Sequence, residues 1–506
     1  MAIARVNTFA FSGIEAQRVE VQVQIASGLP AFLMVGLADK AVGEARERVR
    51  AALTAMGLSL PPKRVLVNLA PADMLKEGSH FDLPVALAVL AAMDVLPGEE
   101  LSRYAALGEL SLDGRLHKVA GVLPAAIGAV QRGLGLICPQ EQGAEAGWAA
   151  ELDIIAAPDL ISLVNHFRGT QLIPAPPPGE LGGGAPTLDL ADVRGLQMSR
   201  RALEVAVAGG HNLLMIGPPG SGKSMLAARL PGLLPDLTPR EALEVSMVHS
   251  VAGMLRDGKL ITRPPFRDPH HSASPAAIAG GGQRAKPGEV SLAHRGVLFM
   301  DEWPEFPRPT LEALRQPLET GQTTVARASA HITYPARFML VAAMNPCRCG
   351  YLGDPGRECS RAPRCGEEYQ TKLSGPLLDR MDVVIEMMPL SARDLSWAPQ
   401  GEPTAIVAAR VAAARERARA RYGEDGPLSN AEAPGESVEL TAEAKTFLEM
   451  AAGKLQLSAR GYTRALRVGR TIADLAGADP VRKEHIAEAL SYRLRVPGRG
   501  LVRKLA

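Results

Sequence analysis

Residues 212–224 read NLLMIGPPGSGKS. After Asn212 comes a short continuous apolar run, the pattern of a strand covered on both faces. The next eight residues, Gly217, Pro218, Pro219, Gly220, Ser221, Gly222, Lys223 and Ser224, satisfy G-x-x-x-x-G-K-[ST] at every fixed position. Glycines at these places let the backbone turn tightly, so that its N–H groups converge on phosphate oxygens. Lys223 is placed to reach β- and γ-phosphates, and Ser224 to offer a hydroxyl to Mg²⁺. A helix is expected over residues 225–230. The segment predicts a site for ATP and Mg²⁺.

Outward from it, residues 296–302 read GVLFMDE, an apolar strand ending in two carboxylates. Asp301 at the strand tip suits the magnesium ion, and Glu302 is placed to orient or deprotonate an attacking water. A third apolar run, residues 338–344, ends in Asn345, whose amide can approach the γ-phosphate or the water. Short apolar runs alternating with helices predict a parallel sheet with helices on its faces. From residue 405 onward the pattern is helical only.

The chain has 506 residues, a length that suits about three domains. With 46% apolar and 22% charged residues it has the composition of a globular protein, which excludes collagen, coiled coil and whole-chain disorder. Fifty-six basic against 54 acidic residues leave a net charge of +2, so nucleic acid cannot be held by bulk charge alone. The first twenty residues have one early Arg5 and no continuous apolar segment, and no run of 18 apolar residues occurs. The expectation is a cytoplasmic protein with no membrane segment.

The Pro/Gly-rich residues 174–186, PAPPPGELGGGAP, cannot sustain a helix or an internal strand. They divide an N-terminal α/β domain over 1–173 from the rest, with the linker taken as 174–190, a P-loop domain over 191–395 and helices over 396–506. In the N-terminal part Val19, Val21, Val23 and Ile25 alternate with polar residues, as in a half-buried strand. Helical patterns over 39–56, 82–93 and 119–132, strands over 64–70 and 134–138, and a hairpin at Asp113-Gly114 complete it.

Four of the five cysteines fall within 347–365. Cys347, Cys349, Cys359 and Cys365 could supply four thiolates to a structural Zn²⁺, with free buried thiols or a redox role as alternatives. Gly280-Gly-Gly282 followed by Arg284 and Lys286 predicts a flexible basic loop, and Arg327 lies in an expected hairpin over 323–334. Both could grip a sugar-phosphate backbone without reading bases, or be ordinary surface charges. His270 and His271 read as structural or hydrogen-bonding residues of a polar turn.

These segments together resemble the YifB/ComM group of magnesium-chelatase-like AAA+ ATPases. The resemblance is carried by residues 201–224, 266–272 (FRDPHHS), 280–302, 335–345 and 375–382, and with the N-terminal domain it covers nearly the whole chain. Two departures stand out: Trp303 after the acidic pair, where Leu is usual, and Cys-x5-Cys for the second cysteine pair. The resemblance implies a homo-hexameric ring that migrates branched DNA, acting on single strands during homologous recombination and natural transformation, alongside recombination proteins. It makes Asn345 a sensor and Arg380 an arginine finger acting on a neighbouring subunit. The alternative for Arg380 is an ion pair with Asp379 or Asp382. Arg464 becomes the second sensor, in a C-terminal helical lid, with Arg460 and Arg467 as competitors.

Residues 71–86 and 108–139 resemble the Lon protease domain, of the ribosomal S5 domain 2-like type. His80 then stands at the nucleophile position and Leu123 where the base Lys would be. A one-residue shift makes Ser79 the nucleophile, with Lys118 the nearest base. The expectation is a folded, non-catalytic domain. A protein-remodelling machine or peptidase and a chelatase motor subunit are the competing functions.

Overall fold

The computed structural model describes residues 3–36, 39–182, 187–282, 285–326, 331–352, 360–388, 400–423 and 429–493. Strands β1 (Ala4–Ser12) and β2 (Glu15–Ala26) form an antiparallel hairpin that turns through Gly13 at φ +67. Val19, Val21 and Val23 are fully buried and the residues between them are not, as the period-2 pattern requires. With β3 (Ala31–Val35), β4 (Arg64–Ala70), β5 (Tyr104–Ala106), β8 (Gly135–Pro139) and β9 (Ile154–Ala157) they make a seven-stranded sheet ordered β3-β4-β2-β1-β5-β8-β9. Between β5 and β8 lies the hairpin of β6 (Glu109–Leu110) and β7 (Leu116–His117), turning at Asp113-Gly114 as expected.

The helix Lys40–Ala55 starts where Asp39 accepts a hydrogen bond from Val42 N–H at 2.7 Å, an N-cap that satisfies one of the free amides of the first turn. Helix Asp82–Ala92 is apolar on all sides and buried from Asp82 through Ala91, as its position between the sheet and the first helix demands. Its buried Asp82 carboxylate takes a two-pronged guanidinium from Arg48, at 2.6 and 2.9 Å.

The second sheet is parallel throughout, in the order β11-β12-β15-β10-β16: β10 (Leu213–Ile216), β11 (Phe266–Arg267), β12 (Val297–Met300), β15 (Met339–Met344) and β16 (Val383–Glu386). Every residue of β10, β12 and β15 is buried, so the three apolar runs of the sequence are the three central strands. Because these strands are parallel, their carboxyl ends fall on one rim, and a ligand belongs in the crevice outside it. The helix after the phosphate loop spans Lys223–Ala227, earlier and shorter than the expected 225–230. A short 3₁₀ turn, Leu230–Gly232, follows it, with Pro231 lacking the N–H that an α-helical turn would use.

Outside this sheet, β13 (Gln322–Ala326) and β14 (His331–Pro335) form an antiparallel hairpin. The C-terminal region is helical, with Thr404–Tyr422, Ala442–Leu455, Ala459–Ala476 and Lys483–Ser491. The N-terminal region docks on the helix Pro239–Val251 through its helix Val122–Val130 and Glu145. There Ser250 donates to the buried Glu145 carboxylate at 2.5 Å, and the Ser250 carbonyl accepts Gly121 N–H at 3.0 Å. Among the described residues no helix is long and apolar enough to cross a membrane.

Candidate nucleotide site

Gly217 lies where a Cβ would come within 2.5 Å of the Met387 carbonyl oxygen and 2.7 Å of Ser221 Oγ, so a side chain there is excluded. Gly220 and Gly222 have φ of +77 and +87, the left-handed region that glycine enters freely, and Gly222 leads into the helix at Lys223. The buried Lys223 ammonium donates to the Gly217 and Pro218 carbonyls at 2.7 and 2.9 Å and to Asn345 Oδ1 at 3.2 Å. Burial pushes its pKa down, while Asp301 and Glu302 pull it back up. Ser224 Oγ donates to Asp301 Oδ2 at 2.6 Å. The structure thus brings Lys223, Ser224, Asp301 and Asn345 together from three strands, around a loop whose glycine positions disfavour side chains. Residues of this kind fit a nucleotide triphosphate with Mg²⁺: Ser224 and Asp301 as oxygen donors to the cation, Lys223 and the loop amides to the phosphates.

Glu302 follows with φ +49, a left-handed conformation unusual for a residue with a Cβ, and its N–H donates to Asp301 Oδ1 at 2.9 Å. Its carboxylate is half exposed at the rim. His271 Nδ1 lies 3.5 Å from Glu302 Oε2, and the neighbouring His270 ring packs on His271 at 4.1 Å between centroids. A hydrogen bond of 2.8 Å ties His270 to Ser272. Asp268, at the end of β11, has its carboxyl pKa raised by burial and by Asp301 beside it. The FRDPHHS turn therefore faces the acidic pair. This placement was hidden in the sequence, because it depends on β11 pairing with β12.

Arg380 stands elsewhere. Its buried guanidinium donates to Glu319 Oε2 at 2.7 Å and to the Pro376 carbonyl at 2.8 Å, so its ion-pair partner is Glu319 of the helix Arg315–Thr320 and not Asp379 or Asp382. Asp382 instead pairs with Arg464, Nε to Oδ1 at 3.3 Å. Arg380, Arg464 and Arg467 line one cleft of about 470 Å³ together with Arg295, Arg337 and Glu319, and none of the phosphate-loop residues lines it. Arg467 donates to the Ala433 carbonyl at 2.6 Å, and Arg460 is exposed outside the cleft. The structure thus joins Arg464 to Arg380, not to Lys223.

Cys347 and Cys349 approach to 3.1 Å between sulfurs, in the turn after Asn345. Cys365 lies in the helix Arg364–Gln370, and Cys359 lies outside the described residues. Among the described residues no three metal-ligating side chains come close enough to hold an ion. Arg284 and Arg327 also lie outside the described residues. Lys286 is exposed on a turn closed by paired Gly281–Lys286 backbone bonds at 3.0 and 3.1 Å. This loop is packed against the β13–β14 hairpin: Tyr334 donates to the Ala285 carbonyl at 2.9 Å and Thr323 to the Ala279 carbonyl at 3.0 Å.

Lys286 and Tyr334 also face the N-terminal domain across a cleft of about 590 Å³ that contains Ser79, His80 and Lys118. His80 is buried with Nε2 2.9 Å from the Phe9 carbonyl. Ser79 donates to Glu109, and Lys118 pairs with Glu141 at 3.0 Å. Leu123 is fully buried.

A five-stranded parallel sheet in this order, with a phosphate loop after β10, an acidic pair after β12 and an asparagine after β15, defines an AAA+ type of P-loop ATPase. Comparison with known families matches residues 189–395 to magnesium chelatase, subunit ChlI, residues 21–142 to subunit ChlI of Mg-chelatase, and residues 401–493 to the ChlI C-terminal region. Competence protein ComM of Haemophilus influenzae is 43% identical over 503 residues, covering 98% of both chains. The uncharacterized protein YifB of Escherichia coli is 42% identical over 494 residues, covering 97% of both. The magnesium-chelatase 38 kDa subunit of Rhodobacter capsulatus is 27% identical over 312 residues, 56% of this chain and 80% of that subunit. The chain belongs to the YifB/ComM family of magnesium-chelatase-like AAA+ proteins.

Proposed function

We propose that this chain hydrolyses ATP in a hexameric ring and uses the energy to migrate branched DNA in homologous recombination and natural transformation. The observation that carries the ATPase reading is the convergence of Lys223 with Asn345, and of Ser224 with Asp301, on one rim of the sheet. Lys223 and the loop amides bind and orient the triphosphate, and Asn345 holds the Lys223 ammonium in register with the β15 tip. Glu302 accepts the proton of the attacking water, or orients it, from a carboxylate braced by its own left-handed backbone. Bound Mg²⁺ neutralises charge on the phosphate oxygens. Arg380 and Arg464 act across a subunit interface, a role supported by their shared cleft, which lies apart from the chain's own phosphate loop.

The DNA half rests on likeness to competence protein ComM and on the Lys286 loop fastened to the β13–β14 hairpin. With Arg284 and Arg327 these elements form the proposed phosphate grip in the ring's pore. The N-terminal domain is read as Lon-protease-like and non-catalytic, a reading supported by His80 and Ser79 being engaged with Phe9 and Glu109 and by Lys118 being engaged with Glu141. The C-terminal helices are read as the lid, and the protein as cytoplasmic. The paired sulfurs of Cys347 and Cys349 support a structural Zn²⁺ completed by Cys359 and Cys365. Metal analysis that finds no zinc in purified protein removes that part.

ATPase turnover measured with no addition, single-stranded DNA, a four-way junction and unfolded protein tests the whole reading. Stimulation by the junction, together with strand exchange on it, is the expected result. Stimulation by unfolded protein alone, with no junction moved, assigns the chain to protein remodelling instead.

A further inference from the structure

Asn212 is the polar residue that opens the apolar run of β10, at the opposite end of the strand from the phosphate loop. Gly217 follows five positions later, roughly 17 Å along an extended chain. Its hydrogen bonds run to β15 and to the residues that lead into β16. Its Nδ2 donates to the Arg380 carbonyl at 2.9 Å, and its Oδ1 accepts Leu340 N–H, on β15, at 2.8 Å. Its backbone N–H donates to Asp382 Oδ2 at 3.0 Å, and its carbonyl accepts the N–H groups of Asp382 and Val383, both at 3.0 Å. Asp382 uses its other oxygen for Arg464 Nε, and Arg464 also reaches the Met381 carbonyl at 3.5 Å.

We propose that Asn212 and Asp382 are positioning residues for the two cleft arginines, Asn212 fixing the backbone that carries Arg380 and Asp382 fixing the Arg464 side chain. The inference rests on the proposal that these arginines act on a neighbouring subunit's nucleotide. Other groups also face Asp382 or Arg380: His211 Nδ1 at 3.9 Å from Asp382, the Arg493 guanidinium beside Asp382 and Asp379, Glu319 on the Arg380 guanidinium, and the Pro376 carbonyl. None of them bonds the Arg380 carbonyl as Asn212 does; the Arg380 N–H is held within its own turn by the Leu377 carbonyl at 3.0 Å. A rigid mount matters here because displacing a catalytic group by an ångström can cost orders of magnitude in rate. The amide ties that mount to β10 and β15, so the finger is registered to the strands that carry the phosphate loop and the sensor.

The test uses full-length Asn212→Ala and Asp382→Asn, the second nearly isosteric and keeping an acceptor for Asn212 N–H. Both are expected to bind ATP as the wild type does, since the phosphate loop lies at the far end of β10, and to lose turnover by at least about tenfold. The distinguishing measurement is subunit mixing. Each variant mixed with Glu302→Gln should recover activity, because an intact finger then meets an intact Glu302. Mixed with Arg380→Ala, neither should. Wild-type turnover by Asp382→Asn, rescue by Arg380→Ala instead of Glu302→Gln, or loss of ATP binding by both variants overturns the inference. The control mixture of Arg380→Ala with Glu302→Gln separates the two levels. If it recovers no activity, the trans reading falls and the inference with it; if it recovers while Asp382→Asn behaves otherwise, only the inference falls.

Discussion

The imidazole of His271 reaches to 3.5 Å from the carboxylate of Glu302, joining a turn after β11 to the acidic end of β12. The Glu302 backbone is braced by its N–H on Asp301 and by the Glu305 N–H on its carbonyl at 2.7 Å. His271→Ala is expected to lower turnover about two- to tenfold, the range of one modest hydrogen bond, while ATP affinity stays unchanged. Steady-state kinetics beside equilibrium nucleotide binding check this, and equal loss of both would remove His271 from the site.

Glu302→Gln should retain ATP binding and lose at least about a hundredfold in turnover, since the phosphate cradle survives and the proton acceptor does not. Lys223→Ala should show the opposite order, losing binding first. Filter binding and phosphate release on the two proteins measure the contrast.

His271 also marks where sequence reading stops. The phosphate loop and the Asp301-Glu302 pair were legible because their chemistry is contiguous in the chain. The central strands were legible from uninterrupted apolar runs. His271 looked like a residue of a polar turn because only the β11–β12 pairing, separated by about thirty residues of sequence, sets it against Glu302. Arg464 was expected as the second sensor, and the cleft it shares with Arg380 was not foreseen for the same reason. The packing of the helix Ala459–Ala476 decides which cleft it faces, and local pattern does not encode that packing.

Acid should loosen the contact between that helix and the central sheet. His211 is fully buried with Nε2 2.7 Å from Thr471 Oγ1, and burial pushes its pKa down from 6.5 to about 4, against an upward pull from Asp382 and with a downward one from Arg467. The folded pKa lies below the unfolded one, so the unfolded chain binds more protons in this window. Stability therefore falls as pH drops from about 6.5 toward 4, by about 3 kcal/mol at most. Denaturant titrations at pH 7 and 5 should show the loss, and His211→Gln should flatten it.

At the junction of the two sheets, the Glu145 carboxylate accepts from Ser250 Oγ at 2.5 Å, Gln142 Nε2 at 3.0 Å and Leu123 N–H at 3.1 Å. Ser250→Ala removes one donor from a buried carboxylate and should cost about 1–3 kcal/mol. The expected readouts are a lower melting temperature and faster proteolytic cutting within residues 174–186. An unchanged melting temperature would show that the docking does not depend on this bond.

The hydroxyl of Tyr334 on the Ala285 carbonyl, and that of Thr323 on the Ala279 carbonyl, lace the Lys286 turn to the hairpin beside it. Two elements fastened in this way form a single lever. If, as proposed, the chain works in a ring that advances a strand, the two elements move together in one stroke and not in two separately timed steps. The distance travelled per ATP is then set by the swing of that combined arm, so cutting the Tyr334 tether would uncouple fuel from motion without touching the engine.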